Sequence, residues 1–366
     1  MNRIAVISSW AWIKVANNYG ALLQYYALQQ YLTRKNNYVF WIKWEFYKRW
    51  KGTRLDNVKL LLRHPLIYLS SYRCHRTFLK FCRDYLNTSV QTYTEESEAD
   101  SYPIADYYIT GSDQVWGGTQ PECFLSFVND NSKKIAYAAS FGKGEITQEH
   151  FEKIAPWIRQ FAHVSIREEN GIEICRRMKV EATHLLDPTF LLDEDDYPHR
   201  QLYIKNPYIF AYLLNVGSKN DVHWYELKDY ALKTNCDLKV CAVQGSEYLF
   251  CNKDLVYPSP TEWLSYYKQA RCVVTNTFHG TVFAIIHHKP FLCILQRGSS
   301  ANQNTRMSSL LSTLGLEDRI LNCEDSIEVS INRPINWQKV STLITDWRKK
   351  SDAFLNFLND IYYYEN

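Results

Sequence analysis

Short apolar runs, most of them ending in polar residues and followed by a helical segment, recur along the chain. Runs of this kind lie at 4–9, 105–110, 135–140, 163–167, 208–214, 238–243, 272–275 and 291–295. Helical periodicity appears at 19–32, 169–178, 221–234, 260–270, 282–288 and 307–314. This order predicts an α/β protein with parallel sheets, because parallel neighbouring strands need a crossover connection, usually a helix.

The length of 366 residues predicts two such domains, since one domain usually holds about 100–200 residues. A charged stretch at 193–205, which contains Pro198, marks the boundary. We therefore predict an N-terminal α/β domain at 1–195, a C-terminal one at 205–345, and a helix at 346–366 that packs back on the N-terminal domain. Two Rossmann-like domains of this kind would face a cleft in which loops at the strand ends bind a ligand.

The turn at 276–280 is the first candidate for that ligand site. Asn276, Thr277, His279 and Gly280 lie between the predicted strand 272–275 and a helix. A strand-to-helix turn presents backbone N–H groups and the positive end of the helix dipole to an anion. His279 would act beside that anion as a proton donor or acceptor. The alternative is a His that only makes structural hydrogen bonds.

Two other predicted strand ends carry candidate groups. Arg167 follows the run 164–166 and is suited to clamp a carboxylate or phosphate, unless it only pairs with a neighbouring carboxylate. Asp113 follows the run 105–110 and is placed to orient or deprotonate an acceptor hydroxyl, and Trp116 to stack on a sugar ring. Alternatively, Ser112 or Asp113 only caps the next turn.

The segment Asn17-Asn18-Tyr19-Gly20-Ala21 follows the first predicted strand and opens a helix. Neither GxGxxG nor GxxxxGK[ST] occurs in the chain, so those modes of nucleotide binding have no support. Taken alone, these residues predict a two-domain α/β protein that binds an anionic small molecule in its cleft.

The segment 34–86 is basic and aromatic. Between Arg34 and Arg83 there are 13 Lys or Arg residues and only two acidic ones, Glu45 and Asp56. This mixture suits an anionic membrane surface or a phosphate-bearing lipid carrier, and nucleic acid would be attracted as well. The alternative is a solvated helical face with ordinary core aromatics. We predict helix from 44 to 86 with a break at Pro65.

The remaining sequence features favour a soluble, cytoplasmic protein. The ten Cys residues form no CxxC pair and no zinc-type spacing, which predicts reduced thiols and no metal site. The first apolar run has no small-residue cleavage site after it and reads as a buried strand. No run approaches the roughly 18 apolar residues that a spanning helix needs.

Seven segments, in order and at approximate spacing, resemble the polysaccharide pyruvyl transferase family, and together they cover most of the chain. They are NNYGALLQYYALQQYL at 17–32, DYYITGSDQVW at 106–116, KIAYAASFG at 134–142, VSIREENGIEI at 164–174, LLDPTFLL at 185–192, NTFHGTVFAIIHHKPF at 276–291 and MSSLLSTLGLEDR at 307–319.

The resemblance implies a fold similar to the GT-B glycosyltransferases, with phosphoenolpyruvate as co-substrate and no cofactor. The acceptor would be a sugar diol, the products a cyclic pyruvate ketal and phosphate. By motif position, His279 looks like the donor-contacting His and Arg167 like the donor-binding Arg. Asn276, Thr277, Gly280 and Arg306 complete the predicted donor site. Asp113 is the second predicted catalytic residue, and Asn18, Tyr19 and Trp116 are the predicted acceptor contacts.

The sequence departs from the family pattern at one position of this turn. Many members have Arg two residues before the His, where this chain has Thr277, so Arg306 or Arg297 would supply the charge. Family members act in capsule and exopolysaccharide synthesis, which implies an acceptor on polyprenyl pyrophosphate, a peripheral site at the inner membrane face and no nucleic-acid partner. The rival functions are a nucleotide-sugar glycosyltransferase of the same fold and a non-catalytic glycan-assembly protein.

Overall fold

The structure is a computed structural model that describes residues 1–8, 17–45, 62–243, 246–322 and 324–358. The N-terminal sheet has seven parallel strands in the order β3-β2-β1-β4-β5-β6-β7. Its strands are β1 (Arg3–Ile7), β2 (Tyr38–Glu45), β3 (Thr88–Thr94), β4 (Tyr107–Thr110), β5 (Lys134–Ala139), β6 (His163–Ile166) and β7 (Thr183–His184). Its helices are α1 (Tyr19–Arg34), α2 (Pro65–Tyr85), α3 (Gln148–Ile158) and α4 (Glu169–Arg177).

The C-terminal sheet has five parallel strands in the order β12-β11-β10-β8-β9. They are β8 (Tyr208–Leu214), β9 (Asp237–Val243), β10 (Cys272–Thr275), β11 (Phe291–Ile294) and β12 (Ile320–Leu321). The helices of this half are α5 (Trp224–Lys233), α6 (Pro260–Gln269), α7 (Phe278–Ile286), α8 (Asn304–Leu314), α9 (Ile327–Ile331) and α10 (Trp337–Leu355). The predicted α/β class and parallel sheets are confirmed.

Strand order places the candidate groups at one junction. In the N-terminal sheet the order reverses between β1 and β4, and in the C-terminal sheet between β8 and β10. Ligands of open α/β sheets bind beside the carboxyl ends of strands at such switch points. Helix α1 closes the junction, because its first residue, Tyr19, stacks on Trp263 of the other domain with ring centroids 5.0 Å apart.

The helix predicted from 44 to 86 is partly wrong. Trp44 and Glu45 belong to β2, whose residues Val39–Ile42 and Trp44 are buried, so Phe40, Trp41 and Trp44 serve the core. The predicted break at Pro65 agrees with the structure: Leu62 and Arg63 are helical, His64 is not, and Pro65 begins α2, where its missing N–H costs nothing. Residues 46–61, which lie in the same predicted helix, fall outside the described residues.

Residues 346–355 of the predicted helix 346–366 belong to α10, which begins at Trp337, and this end of the chain contacts the N-terminal domain. Arg348 Nη1 lies 2.7 Å from Asp193 Oδ1. Tyr137 in β5 donates a hydrogen bond to Ser351 Oγ at 3.0 Å. Farther on, Phe357 stacks on His163 in β6, with ring centroids 3.9 Å apart. The chain thus returns from its second domain to its first.

Among the described residues, no helix is long and apolar enough to cross a membrane.

Candidate functional site

A buried carboxylate, Asp187, lies at the centre of the junction between the two sheets. Its Oδ2 accepts hydrogen bonds from Arg167 Nη1 at 2.9 Å and from Ser112 Oγ at 2.9 Å. His279 of the C-terminal domain places its Nε2 3.4 Å from the same oxygen. The other oxygen, Oδ1, accepts from the backbone N–H and the hydroxyl of Thr189 at 3.0 and 2.7 Å. One carboxylate therefore joins the predicted Arg and the predicted His.

Arg167 is held on three sides. Besides Asp187, it contacts Glu168, whose Oε1 lies 3.0 Å from Nε and is also bonded by Ser140 Oγ at 2.7 Å. Its guanidinium lies 4.3 Å from the centre of the Phe278 ring. The alternative interpretation of Arg167, an ion pair with a neighbouring carboxylate, is thus confirmed as a contact. Its Nη2 is buried and has no hydrogen-bond partner in the described part of the chain, so one donor remains for a ligand.

Charge governs the ionisation of this cluster. Burial alone would raise the pKa of Asp187, but the nearby His279, then Arg167 and the Thr189 N–H, hold that pKa well below its ordinary value. Burial alone would likewise lower the pKa of Arg167, but Glu168 and Asp187 raise it above its ordinary value. Asp187 is therefore an anion and Arg167 a cation throughout the physiological pH range.

Gly20 lets His279 reach this cluster. Helix α1 begins at Tyr19, with the Asn18 side chain accepting from the Ala21 N–H at 3.1 Å. A Cβ on Gly20 would lie 2.2 Å from Cγ and Nδ1 of His279. Because this contact is shorter than any real Cβ contact, only glycine admits the imidazole here.

We expect Gly20→Ala to displace His279 and to lower the activity of the site by about tenfold or more, since an ångström of misplacement can cost about a hundredfold. The new Cβ would also lie 2.4 Å from the His279 Cβ, so the two helices must move apart and the thermal midpoint should fall as well. Gly118→Ala is the matched control, because its new Cβ meets only the movable end of Gln120. Equal activity in wild type and Gly20→Ala would contradict this role of Gly20.

In the turn at 276–280, the groups predicted to bind the donor instead contact other parts of the protein. Asn276 bonds the backbone of Leu214 twice, at 2.9 and 2.8 Å. The Thr277 hydroxyl caps α7 by accepting from the Gly280 N–H at 2.9 Å. A Cβ on Gly280 would lie 2.1 Å from Thr275 Oγ1, so close packing explains this glycine. The prediction that Asn276, Thr277 and Gly280 bind the donor is wrong for these side chains and this N–H.

Arg306 and Asp113 form the second half of the junction. Arg306 Nη1 lies 4.0 Å from Asp113 Oδ1, and Nη2 donates to Gln303 Oε1 at 2.8 Å. With its oxygen turned to the guanidinium, the Gln114 amide accepts from Arg306 at 3.0 and 3.1 Å. Burial, and then repulsion by Arg167, lower the pKa of Arg306 to about 10. A cation destabilised in this way favours an incoming anion.

Two predicted acceptor contacts are wrong. Trp116 has no exposed surface and packs among Phe124, Phe141 and Phe161, so it cannot stack on a sugar. Tyr19 is also buried, and its hydroxyl donates to the Pro258 carbonyl at 2.6 Å. Asn18 is only half-buried beside Gly20 and stays a predicted contact.

Sequence reasoning did not single out Asp187. Its signal was the apolar run at 185–186, which stops at an Asp-Pro pair in the same way that the runs before Arg167 and Asn276 stop at polar residues. Ser140 was missed because its position beside Glu168 depends on strand order, whereas Glu168, the residue after Arg167, is the neighbouring carboxylate of the alternative interpretation.

The fold as a whole resembles that of several sugar-nucleotide enzymes. S. aureus MnaA, solved with UDP, matches with a TM-score of 0.51 at 10% identity over 100% of this chain and 97% of that one. A putative UDP-N-acetylglucosamine 2-epimerase from Listeria monocytogenes matches with a TM-score of 0.51 at 8% identity, over 97% of this chain and 96% of that one. The Methanocaldococcus jannaschii UDP-GlcNAc 2-epimerase, solved with UDP-GlcNAc and UDP, matches with a TM-score of 0.50 at 10% identity, over 94% of this chain and 99% of that one.

These neighbours place the chain in the class of two-domain α/β proteins with the GT-B glycosyltransferase fold, as predicted. The sequence identifies one family within that class, because the model of the polysaccharide pyruvyl transferase family matches residues 18–296. The chain belongs to this family, as the seven segments predicted, and so to a family of transferases. No curated protein matches it.

Proposed function

We propose that this protein moves the pyruvate unit of phosphoenolpyruvate onto two hydroxyls of one sugar, forming a cyclic pyruvate ketal. The observation that supports this most is the set of cationic groups around Asp187 and Asp113. Arg167 Nη2, Arg306 Nε and His279 Nε2 are each buried without a hydrogen-bond partner in the described part of the chain. A buried donor without a partner is costly, and an anionic ligand with carboxylate and phosphate oxygens would satisfy all three.

The proposed chemistry begins with a proton delivered to the methylene carbon of phosphoenolpyruvate, for which His279 is the acid. The adjacent carbon becomes oxocarbenium-like, and a sugar hydroxyl adds to it and gives up its proton. A second hydroxyl then displaces the phosphate from that carbon and returns a proton to His279, while the proton held by Asp113 leaves with the phosphate, so that ketal and inorganic phosphate are released. Asp187 holds His279 in place, with its Oδ2 3.4 Å from His279 Nε2, and Asp113 is the proposed base for the acceptor hydroxyl. Arg167 and Arg306 bind the donor oxygens.

In this proposal Arg306 supplies the charge that many family members carry two residues before the His, where this chain has Thr277. Arg306 is buried beside Asp113, whereas Arg297 is exposed. Losing a hydrogen bond to a charged group costs about 1.5–3 kcal/mol, or about 10- to 100-fold in affinity. We expect Arg306→Gln to raise the KM for phosphoenolpyruvate by this factor in steady-state assays of phosphate release.

Arg297→Gln is the matched comparison and should leave the KM within about twofold, because an exposed side chain gains little from a ligand in screened solvent. The reverse pattern, with KM raised only by Arg297→Gln, would assign the charge to Arg297 instead.

The acceptor in this proposal is an oligosaccharide on a polyprenyl pyrophosphate, and the protein works at the cytoplasmic face of a membrane in capsule or exopolysaccharide synthesis. The support is the family match, whose description names a polysaccharide. The second candidate is a nucleotide-sugar transferase, because two of the solved structures that share the fold contain UDP.

Titration calorimetry separates the two candidates. We expect phosphoenolpyruvate to bind the wild type and to bind Arg306→Gln more weakly, and we expect UDP and UDP-GlcNAc to give no saturable heat. Saturable UDP binding without phosphoenolpyruvate binding would favour the nucleotide-sugar reaction.

A further inference from the structure

The outer face of α2 is the most apolar exposed surface in the described part of the chain. Of the fifteen exposed large hydrophobic side chains in that part, six lie between residues 62 and 85. Those that lie in or next to the first half of α2 are Leu62, Leu66, Leu69 and Tyr72, which are 77%, 66%, 45% and 56% exposed. Contiguous exposed apolar side chains on a folded protein mark a surface that another apolar phase covers.

The second half of the same face is cationic. Arg73, Arg76, Lys80 and Arg83 are exposed there. Residues 62–85 contain five Lys or Arg residues and a single acidic one, Asp84, which pairs with Lys80 and Arg83. Arg73 and Arg76 lie nearest to the apolar half of the helix, away from Asp84 and its two partners. The outer face of α2 is therefore apolar in its first half and carries four cations, beside the exposed Leu79 and Tyr85, in its second half.

We propose that this face docks on an anionic lipid surface. An interfacial helix places apolar side chains at the boundary of the acyl chains and basic ones among the headgroups, and the two halves of α2 supply both layers. Each cation near an anionic bilayer contributes about fivefold to binding. A protein groove would cover the leucines equally well, but it would not call for four cations on one helix with a single acid.

Helix α2 lies close to the candidate site, so docking of its outer face would bring a membrane near that site. Its inner face packs on the start of α1: the rings of Phe78 and Tyr19 lie 4.7 Å apart, and the Cys74 thiol donates to the Pro258 carbonyl of the C-terminal domain at 3.2 Å. Gly20, the next residue of α1, contacts His279. A membrane on the outer face of α2 would therefore lie one helix away from the candidate site. The inference itself does not depend on which donor the site binds.

Vesicle flotation of the full-length protein tests it. We expect the wild type to float with phosphatidylcholine vesicles that contain about one third phosphatidylglycerol, and not with pure phosphatidylcholine. Leu66→Ser, Leu69→Ser and Tyr72→Ser combined should reduce the bound fraction at least about tenfold. Arg73→Glu with Arg76→Glu should do the same, because each reversal removes an attraction and adds a repulsion. For the wild type, added salt should weaken binding.

The matched apolar control is Tyr225→Ser with Leu232→Ser on α5, where these side chains are 62% and 78% exposed. The matched charge control is Lys349→Glu with Lys350→Glu on α10. Both controls should float like the wild type, and circular dichroism should show that every variant is folded. A wild type that floats with neither vesicle, or α2 variants that float as well as it does, would overturn the proposal. Either result would favour a protein partner as the occupant of the outer face of α2.

Discussion

His279→Gln is expected to lower the turnover of phosphoenolpyruvate by about 10²- to 10⁴-fold, the contribution of a positioned general acid, while the protein stays folded. The reason is geometric. His279 reaches across from the C-terminal domain, and its Nε2 lies 3.4 Å from Asp187 Oδ2 without forming a hydrogen bond to it or to any other described residue. Gln keeps a polar side chain in place but cannot deliver a proton. Phosphate release at saturating substrate measures the loss.

His288→Gln is the matched control, because His288 lies just after the same helix and is exposed, bonding only Ser341 Oγ at 3.1 Å in the described structure. It should keep full activity. Turnover by His279→Gln within about threefold of wild type would show that His279 is structural, the alternative that the sequence left open.

Asp187→Asn is expected to lower the free energy of unfolding at pH 7 by about 3–5 kcal/mol, because it leaves the buried Arg167 with one carboxylate partner where it had two. The same substitution removes a pH dependence. Since the pKa of Asp187 is lowered in the folded protein, its contribution is complete above the unfolded pKa of about 4 and is lost as pH falls below it. The stability gap between wild type and variant should therefore narrow as pH falls from 4 towards 2.

Urea unfolding over this pH range measures the gap. Asp193→Asn is the matched control, since the Asp193 side chain is 75% exposed in its ion pair with Arg348 and should change stability by less than about 1 kcal/mol. A gap between wild type and Asp187→Asn that stays constant down to pH 2 would mean that the Asp187 carboxyl is already protonated in the folded protein.

The sequence predicted much of the fold, because apolar runs of four to seven residues followed by helical periodicity have few alternatives. The predicted strand 272–275 and the predicted start of α6 agree with the structure. The strand Tyr38–Glu45 was missed because it is buried on both faces and rich in aromatic residues, so it lacks alternation. The helix predicted from 44 to 86 included only its last two residues, Trp44 and Glu45.

The candidate site was predictable in part. Strand ends identified Arg167, His279 and Asp113, because carboxyl ends of parallel strands gather at one edge. They did not reveal Asp187, which joins two of these groups through strand order and domain contact. The predictions for Tyr19 and Trp116 were wrong for another reason. An aromatic side chain beside a polar turn can pack in the core or stack on a ligand, and only the packing in the structure distinguishes these roles.

Mass spectrometry of the product decides whether this protein transfers pyruvate from phosphoenolpyruvate to a sugar diol. The protein is incubated with a lipid-linked oligosaccharide and phosphoenolpyruvate, with UDP-GlcNAc in a parallel reaction. We predict that the acceptor gains the mass of one ketal-linked pyruvate, that one phosphate is released for each ketal, and that His279→Gln forms neither product. Transfer of a sugar from UDP-GlcNAc with no pyruvate adduct would contradict the proposed pyruvyl transfer.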